Sequence, residues 1–229
     1  MPEIRVEYQE ELTALEQSAL GGLDLVSGSL SRTLEAVEHQ DIELAQIVVA
    51  DDDRIDGRYL EVHQALITLL ATQSPVATDL RLISALLHVL KNIERMGDQC
   101  VNICKVIPMS GYEPPADPEM VKLILAMGAH AKSLISQAKR AFEERNVEMA
   151  QDLVVRDDVV DELNRDGFQL ALAIGDDADQ REWAMTMLLA ARAIERIGDH
   201  AVDIGEQVAF VVTGLFREFE DASHPDAHA

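Results

Sequence analysis

The chain has 229 residues, 48% of them hydrophobic and 27% charged, which is ordinary for a folded protein and enough for one or two domains with a substantial core. Its 42 Asp and Glu outweigh 19 Lys and Arg to give a formal charge of -23, shared as -11 over residues 1–115 and -12 over residues 116–229. That field disfavours nucleic acid and anionic lipid surfaces as partners. Aromatic residues are 4% of the chain, with 12 Gly and 7 Pro, so turns are few and the β-forming clusters of a sheet protein are missing.

The opening MPEIRVEYQEEL shows no basic stretch leading into an apolar one, and no run of about 18 apolar residues follows anywhere. Neither a secretory leader nor direct membrane insertion is expected. From Tyr8 onward, apolar residues recur three and four positions apart. A first helix is predicted from Tyr8 to Val37, and EHQDIEL then makes a turn, with Asp41 capping a second helix that runs to Ala71. Ser74 followed by Pro75 predicts the start of a third helix reaching Ile107. The stretch PMSGYEPPADP, Pro108 to Pro118, holds four of the seven prolines and reads as a linker. A fourth helix follows from Glu119 to Arg145, and Asn146 opens a fifth that runs to Ile174. Gly175, Asp176, Asp177 and Asp179 mark the next turn, the sixth helix continues towards Gly214, and EFEDASHPDAHA reads as a frayed tail. Cys100 and Cys104, one turn apart in an apolar run, suit reduced core thiols.

The second half repeats the first. Glu43-Leu44-Ala45-Gln46 returns 105 residues later as Glu148-Met149-Ala150-Gln151, and the same offset carries Asp52, Asp53 and Asp56 onto Asp157, Asp158 and Asp161. IERMGDQCVNI, residues 93–103, returns as IERIGDHAVDI, residues 194–204, at an offset of 101. The expected fold is therefore all-α: two tandem three-helix bundles, six long helices in all, over residues 1–112 and 113–217, with a tail at 218–229.

Four acidic pairs at i and i+4 occupy matching places: Asp52 with Asp56, Glu94 with Asp98, Asp157 with Asp161, and Glu195 with Asp199. Each pair lies on one helix face, where like charges repel by a few tenths of a kcal/mol, so a cation or a basic partner is expected to compensate. Carboxylate oxygens suit Mg, Ca, Mn, Fe or Zn, and Asn102 and Asp203, one turn further on, could add oxygens. In so acidic a chain roughly seven such pairs would arise by chance, and what stands out is the repetition of ERMGD as ERIGD. A salt-bridged surface is the competing reading, since Lys91 stands three before Glu94, Arg95 three before Asp98 and Arg196 three before Asp199. Gly97 and Gly198, each about 1 kcal/mol worse than Ala inside a helix, point to close helix packing. His63, His88, His130 and His200 lie singly, and His200 beside Asp199 is the best placed as a ligand. No Glu-x-x-His, GxxxxGK[ST], GxGxxG, GxSxG or HExxH pattern occurs.

The segments ADDDRID (50–56), QSPVATDLRLI (73–83), NIERMGDQCVNI (92–103), RDDVVDEL (156–163) and AIERIGDHAVDI (193–204) resemble, in order and over nearly the whole chain, the PhoU family of phosphate-uptake regulators. The resemblance implies two three-helix bundles whose E/D-x-x-x-D motifs carry iron or zinc clusters, or another divalent cation, with no organic cofactor. Those motifs fall here on Asp52, Asp56, Glu94, Asp98, Asp157, Asp161, Glu195 and Asp199. It further implies a cytoplasmic, non-enzymatic negative regulator: an adaptor between the ATPase subunit of a phosphate ABC transporter and a membrane sensor histidine kinase. Such a protein would form a homodimer and meet the inner face of the membrane through these partners. A carboxylate-bridged metalloenzyme or a metal store is the alternative. The halves also diverge, since Pro75, Asp79 and Arg81 stand opposite Asp176, Gln180 and Glu182, and Asn102 stands opposite Asp203.

Overall fold

Two helix junctions repeat almost atom for atom and set the plan of the molecule. In the computed structural model, which describes residues 2–111, 117–174 and 177–219, helix α1 (Pro2–His39) is followed by α2 (Ile42–Asp51), α3 (Asp53–Thr72) and α4 (Ala77–Val106). The second half holds α5 (Pro118–Glu144), α6 (Val147–Ala173) and α7 (Ala178–Thr213). Gln40 after α1 and Arg145 after α5 take the left-handed conformation, with φ of 53° and 52°. The next amide in each case returns to the helix, from Asp41 to the Ala36 carbonyl and from Asn146 to the Ala141 carbonyl, both at 2.9 Å. Asp41 and Asn146 then cap the following helices, accepting from the amides of Leu44 at 2.9 Å and Met149 at 3.0 Å. The predicted duplication is thus present in backbone geometry as well as in sequence.

Several boundaries differ from expectation. The first helix begins at Pro2, well before Tyr8. The second long helix is interrupted at Asp52, whose carbonyl accepts from the amides of both Ile55 and Asp56 at 2.8 and 3.1 Å. Three consecutive aspartates, residues 51–53, crowd this turn and Gly57 follows, whereas α6, with Arg156 in place of Asp51 and Glu162 in place of Gly57, runs unbroken. The third helix starts at Ala77 after an uncapped Val76, so Ser74 caps nothing; the residue before a proline is driven out of the helical region. Beyond α4 the linker opens with a single 3-10 turn, Ile107–Ser110, and Asp117 caps α5 through the amides of Glu119 and Met120. Gly175 and Asp176 of the predicted turn, and residues 220–229 of the predicted tail, lie outside the described residues, while Asp177 is the N-cap of α7.

The two halves share one core. Helices α4 and α7 lie antiparallel, since Arg81 reaches Gly214 at one end and His200 Nδ1 donates to Asn92 Oδ1 at 3.0 Å further along. Helices α1 and α5 are antiparallel too: Glu16 pairs with Arg145 at 2.7 Å, Asp24 with Lys139 at 2.7 Å, and Leu34 packs directly on the backbone of Gly128. A contiguous buried cluster runs through both halves, from Leu23, Leu30 and Leu86 to Phe142, Trp183 and Ile197. The α2/α3 pair packs on α1 and α4 as α6 packs on α5 and α7. Cys100 and Cys104 are buried free thiols, and burial pushes Cys100 up to about 12. No helix among the described residues is long and apolar enough to cross a membrane.

Because each cap satisfies an otherwise exposed helix amide, Asp41→Ala and Asn146→Ala are each expected to lower stability by about 1 kcal/mol. The two effects should add in urea unfolding, since the caps belong to different halves. A double variant as stable as the wild type would contradict the assignment of these residues as caps.

Candidate functional site

In each half, an aspartate of the second long helix rests on the bare backbone of a glycine in the third. A Cβ on Gly97 would stand 2.9 Å from Asp52 Oδ1 and 3.1 Å from Ile55 Cδ1. A Cβ on Gly198 would collide with Asp157 Oδ1. The helical cost of these glycines is therefore spent on letting a carboxylate approach a neighbouring helix, a more particular role than close packing alone.

That approach gathers the predicted acids. Burial, then the charges of Asp56, Asp98, Asp53 and Glu94, push the Asp52 carboxyl up to about 6. Asp98 is also raised, by loss of solvent and then by Glu94 and Asp56, with Lys91 and Arg95 opposing. In the second half, loss of solvent followed by the charge of Asp161 raises Asp199, with Asp203 adding and Arg192 and His200 opposing. Asp52, Asp56, Glu94 and Asp98 thus gather in an acidic centre between α3 and α4, and Asp157, Asp161 and Asp199 in a second between α6 and α7, with Glu195 one turn before Asp199. Asp203 stands at the edge of the second. Asn102 is exposed and its amide donates to Gln99 Oε1 at 3.4 Å, so the structure does not turn it towards Asp98.

Each centre carries one matched base. Lys91 Nζ donates to Glu94 Oε2 at 2.6 Å while lying 5.7 Å from the Tyr59 ring centre, and Arg192, its counterpart 101 residues on, pairs with Glu195 Oε1. The Lys91 pair follows the expected spacing. Arg192 was missed, although its offset from Lys91 was visible. Glu195 is only 6% exposed, and its other oxygen, Oε2, accepts no hydrogen bond from any described residue. His200 is not turned to the centre as a ligand: its ring bridges α7 to Asn92 of α4 and stands 3.6 Å from Asp203.

Crowded carboxylates and a buried oxygen without a hydrogen-bond partner supply the oxygen donors that hard or borderline divalent cations take. Among the described residues no three His, Cys, Asp or Glu side chains surround a single point. A cation would therefore draw the carboxylates inward, and its charge would offset the repulsion that raises Asp52, Asp98 and Asp199.

Folded Asp52 keeps its proton up to about pH 6, whereas the ordinary value is 3.8, so protonation favours the fold and the stability of the cation-free chain falls as pH rises through that interval. Asp52→Asn should raise stability at pH 7 by about 1 kcal/mol after solvent screening, and reduce the slope below pH 6, as read by urea unfolding. A variant less stable than wild type at neutral pH would contradict the repulsive centre.

The PhoU domain matches the chain twice, over residues 23–107 and 124–208, each span containing one acidic centre. A phosphate-specific transport system accessory protein PhoU homolog of Clostridium acetobutylicum is 32% identical over 216 residues, covering 93% of this chain and 98% of the relative. A homolog of the same description from Thermotoga maritima is 32% identical over 217 residues, covering 93% of each. The crystal structure of PhoU from Pseudomonas aeruginosa superposes with a TM-score of 0.82 at 25% identity, over 91% of this chain and all of that one. PhoU from Streptococcus pneumoniae shares the fold with a TM-score of 0.84 over 92% of this chain. With two domain matches spanning most of the sequence, both acidic centres inside them, and relatives aligned nearly end to end, the chain belongs to the PhoU family.

Proposed function

We propose that this protein is an accessory and negative regulator of phosphate uptake, acting as a cytoplasmic adaptor and not as an enzyme. In this reading it joins the ATPase subunit of a phosphate ABC transporter to a membrane sensor histidine kinase, as a homodimer that reaches the membrane through those partners. The observation that carries the proposal is the pair of equivalent acidic centres inside two PhoU domains, together with relatives named as accessory proteins of phosphate-specific transport.

Each centre would hold divalent cations, with iron and zinc as the leading candidates. Asp52, Asp56, Glu94 and Asp98 would bind in the first half and Asp157, Asp161, Glu195 and Asp199 in the second. A bound cation supplies positive charge. The chain's own part is to position the acids: Gly97 and Gly198 admit the α3 and α6 aspartates, while Lys91 and Arg192 orient the glutamates. Locking α3 to α4 and α6 to α7 in this way would give the adaptor two faces of defined charge, and complementary charge governs partner choice and association rate.

Deleting the gene should make a phosphate-starvation reporter constitutive at high phosphate. The wild-type chain should restore repression, and a chain carrying Glu94→Gln, Asp98→Asn, Glu195→Gln and Asp199→Asn should fail to, while remaining folded by circular dichroism. Full rescue by the amide variant would show that the acidic centres are dispensable for regulation. Oxygen-dependent turnover by the purified, metal-loaded chain would instead favour the metalloenzyme alternative.

A further inference from the structure

After α7 the chain reverses at Gly214, which has φ of 73°, and Leu215 to Phe219 fold back along the helix they have just left. Phe216 meets Phe210 edge-on, with ring centres 5.7 Å apart. The Phe219 amide donates to Glu206 Oε1 at 2.7 Å. Its ring comes within 3.3 Å of where a Cβ of Gly205 would be, a point also approached by the Ala150 carbonyl and the Leu153 side chain. The groove between the start of α6 and the end of α7 is therefore filled by an aromatic residue on an extended segment.

The duplication gives that groove a twin. At the two offsets, Ala150, Leu153, Gly205 and Glu206 correspond to Ala45, Val48, Cys104 and Lys105. The first-half groove is an open cavity of about 310 Å³, lined by Ile42, Ala45, Val49, Cys104, Lys105 and Pro108. Its walls are largely apolar and it lies at the small end of ligand-sized sites. No described residue plays the part that Phe219 plays in the second half.

The rim charges differ in a consistent direction. The filled groove carries Asp203 and Glu206, and burial raises the Glu206 carboxyl, with the Phe219 amide opposing and the charges of Asp203 and of Glu218 on the folded-back segment adding. The open groove has Asn102 and Lys105 at those positions. The carboxylate beside that aromatic residue, Glu218, thus meets like charge where the segment now sits, and would meet a cation in the twin.

We propose that the groove between α2 and the end of α4 receives an extended segment of a partner protein, bearing an aromatic side chain beside carboxylates, as the α6/α7 groove receives Phe219. The aromatic ring fills the apolar cavity, and a flanking carboxylate pairs with Lys105 Nζ. A partner fits better than a second copy. The chain's own segment already occupies its groove in cis with the advantage of high effective concentration, and exchange between copies would empty one groove for each one it filled.

The probe is a fluorescent peptide copying residues 214–223, GLFREFEDAS, titrated with the full chain by fluorescence anisotropy. Saturable binding is expected, weakened at least tenfold by Lys105→Glu and by Ala50→Trp, which narrows the rim, and lost when the peptide carries Phe219→Ser. Both protein variants change exposed positions; Ala50 stands two residues before Asp52, so Lys105→Glu is the variant whose result is independent of the regulatory reading. Affinity indifferent to both variants would overturn the proposal. So would binding seen only after residues 215–229 are removed, which would put the peptide in the α6/α7 groove. Concentration-dependent self-association abolished by the same truncation would make a second copy the occupant and overturn it as well.

Discussion

An aspartate carboxylate held against a helix backbone is the contact on which both halves depend. Asp52 on Gly97 and Asp157 on Gly198 set how closely α3 approaches α4 and α6 approaches α7. With any larger residue in place of glycine the helices would part, and the acids of the facing pair would regain solvent. With glycine, they lose water and face one another, so Asp52, Asp98 and Asp199 all resist ionisation. The arrangement stores electrostatic repulsion at two equivalent points, and a cation is the simplest agent to relieve it.

Around those contacts the duplicated halves form one body. The long third helices of each half run antiparallel through the centre, and α1 and α5 do the same beside them, so the apolar cluster is continuous. The acidic centres sit on the helix pairs that flank this shared core. Helix α4, which packs against α3 on one side, packs against α7 on the other. His200 bonds to Asn92 across that seam and stands close to Asp203.

Local chemistry made part of this legible from residues alone. Asp41 and Asn146 were readable as caps because capping depends on one side chain and the amide three residues on. The acidic pairs were readable because i and i+4 share a helix face. The break at Asp52 was not, since α6 carries a matching Asp-Asp pair without breaking, and the differences around it, Asp51 for Arg156 and Gly57 for Glu162 among them, do not announce a break. Ser74 and Pro75 had the form of a start signal, yet the helix begins beyond them at Ala77. Periodicity shows that a helix has an apolar face and not which helix covers it, so the antiparallel seam and the bridging role of His200 emerged only in three dimensions. Gly97 and Gly198 were read as packing residues; what packs on them, a carboxylate oxygen, was beyond the reach of spacing.

The central claim is that the acidic centres are strained by their own charge and eased by a divalent cation. The most direct test is thermal unfolding of the cation-free chain titrated with zinc or manganese, beside the variant with amides at residues 94, 98, 195 and 199. The account predicts a saturable rise in Tm for the wild type that is lost in the variant, which itself should start higher. Equal shifts in both proteins, or none in either, would contradict it.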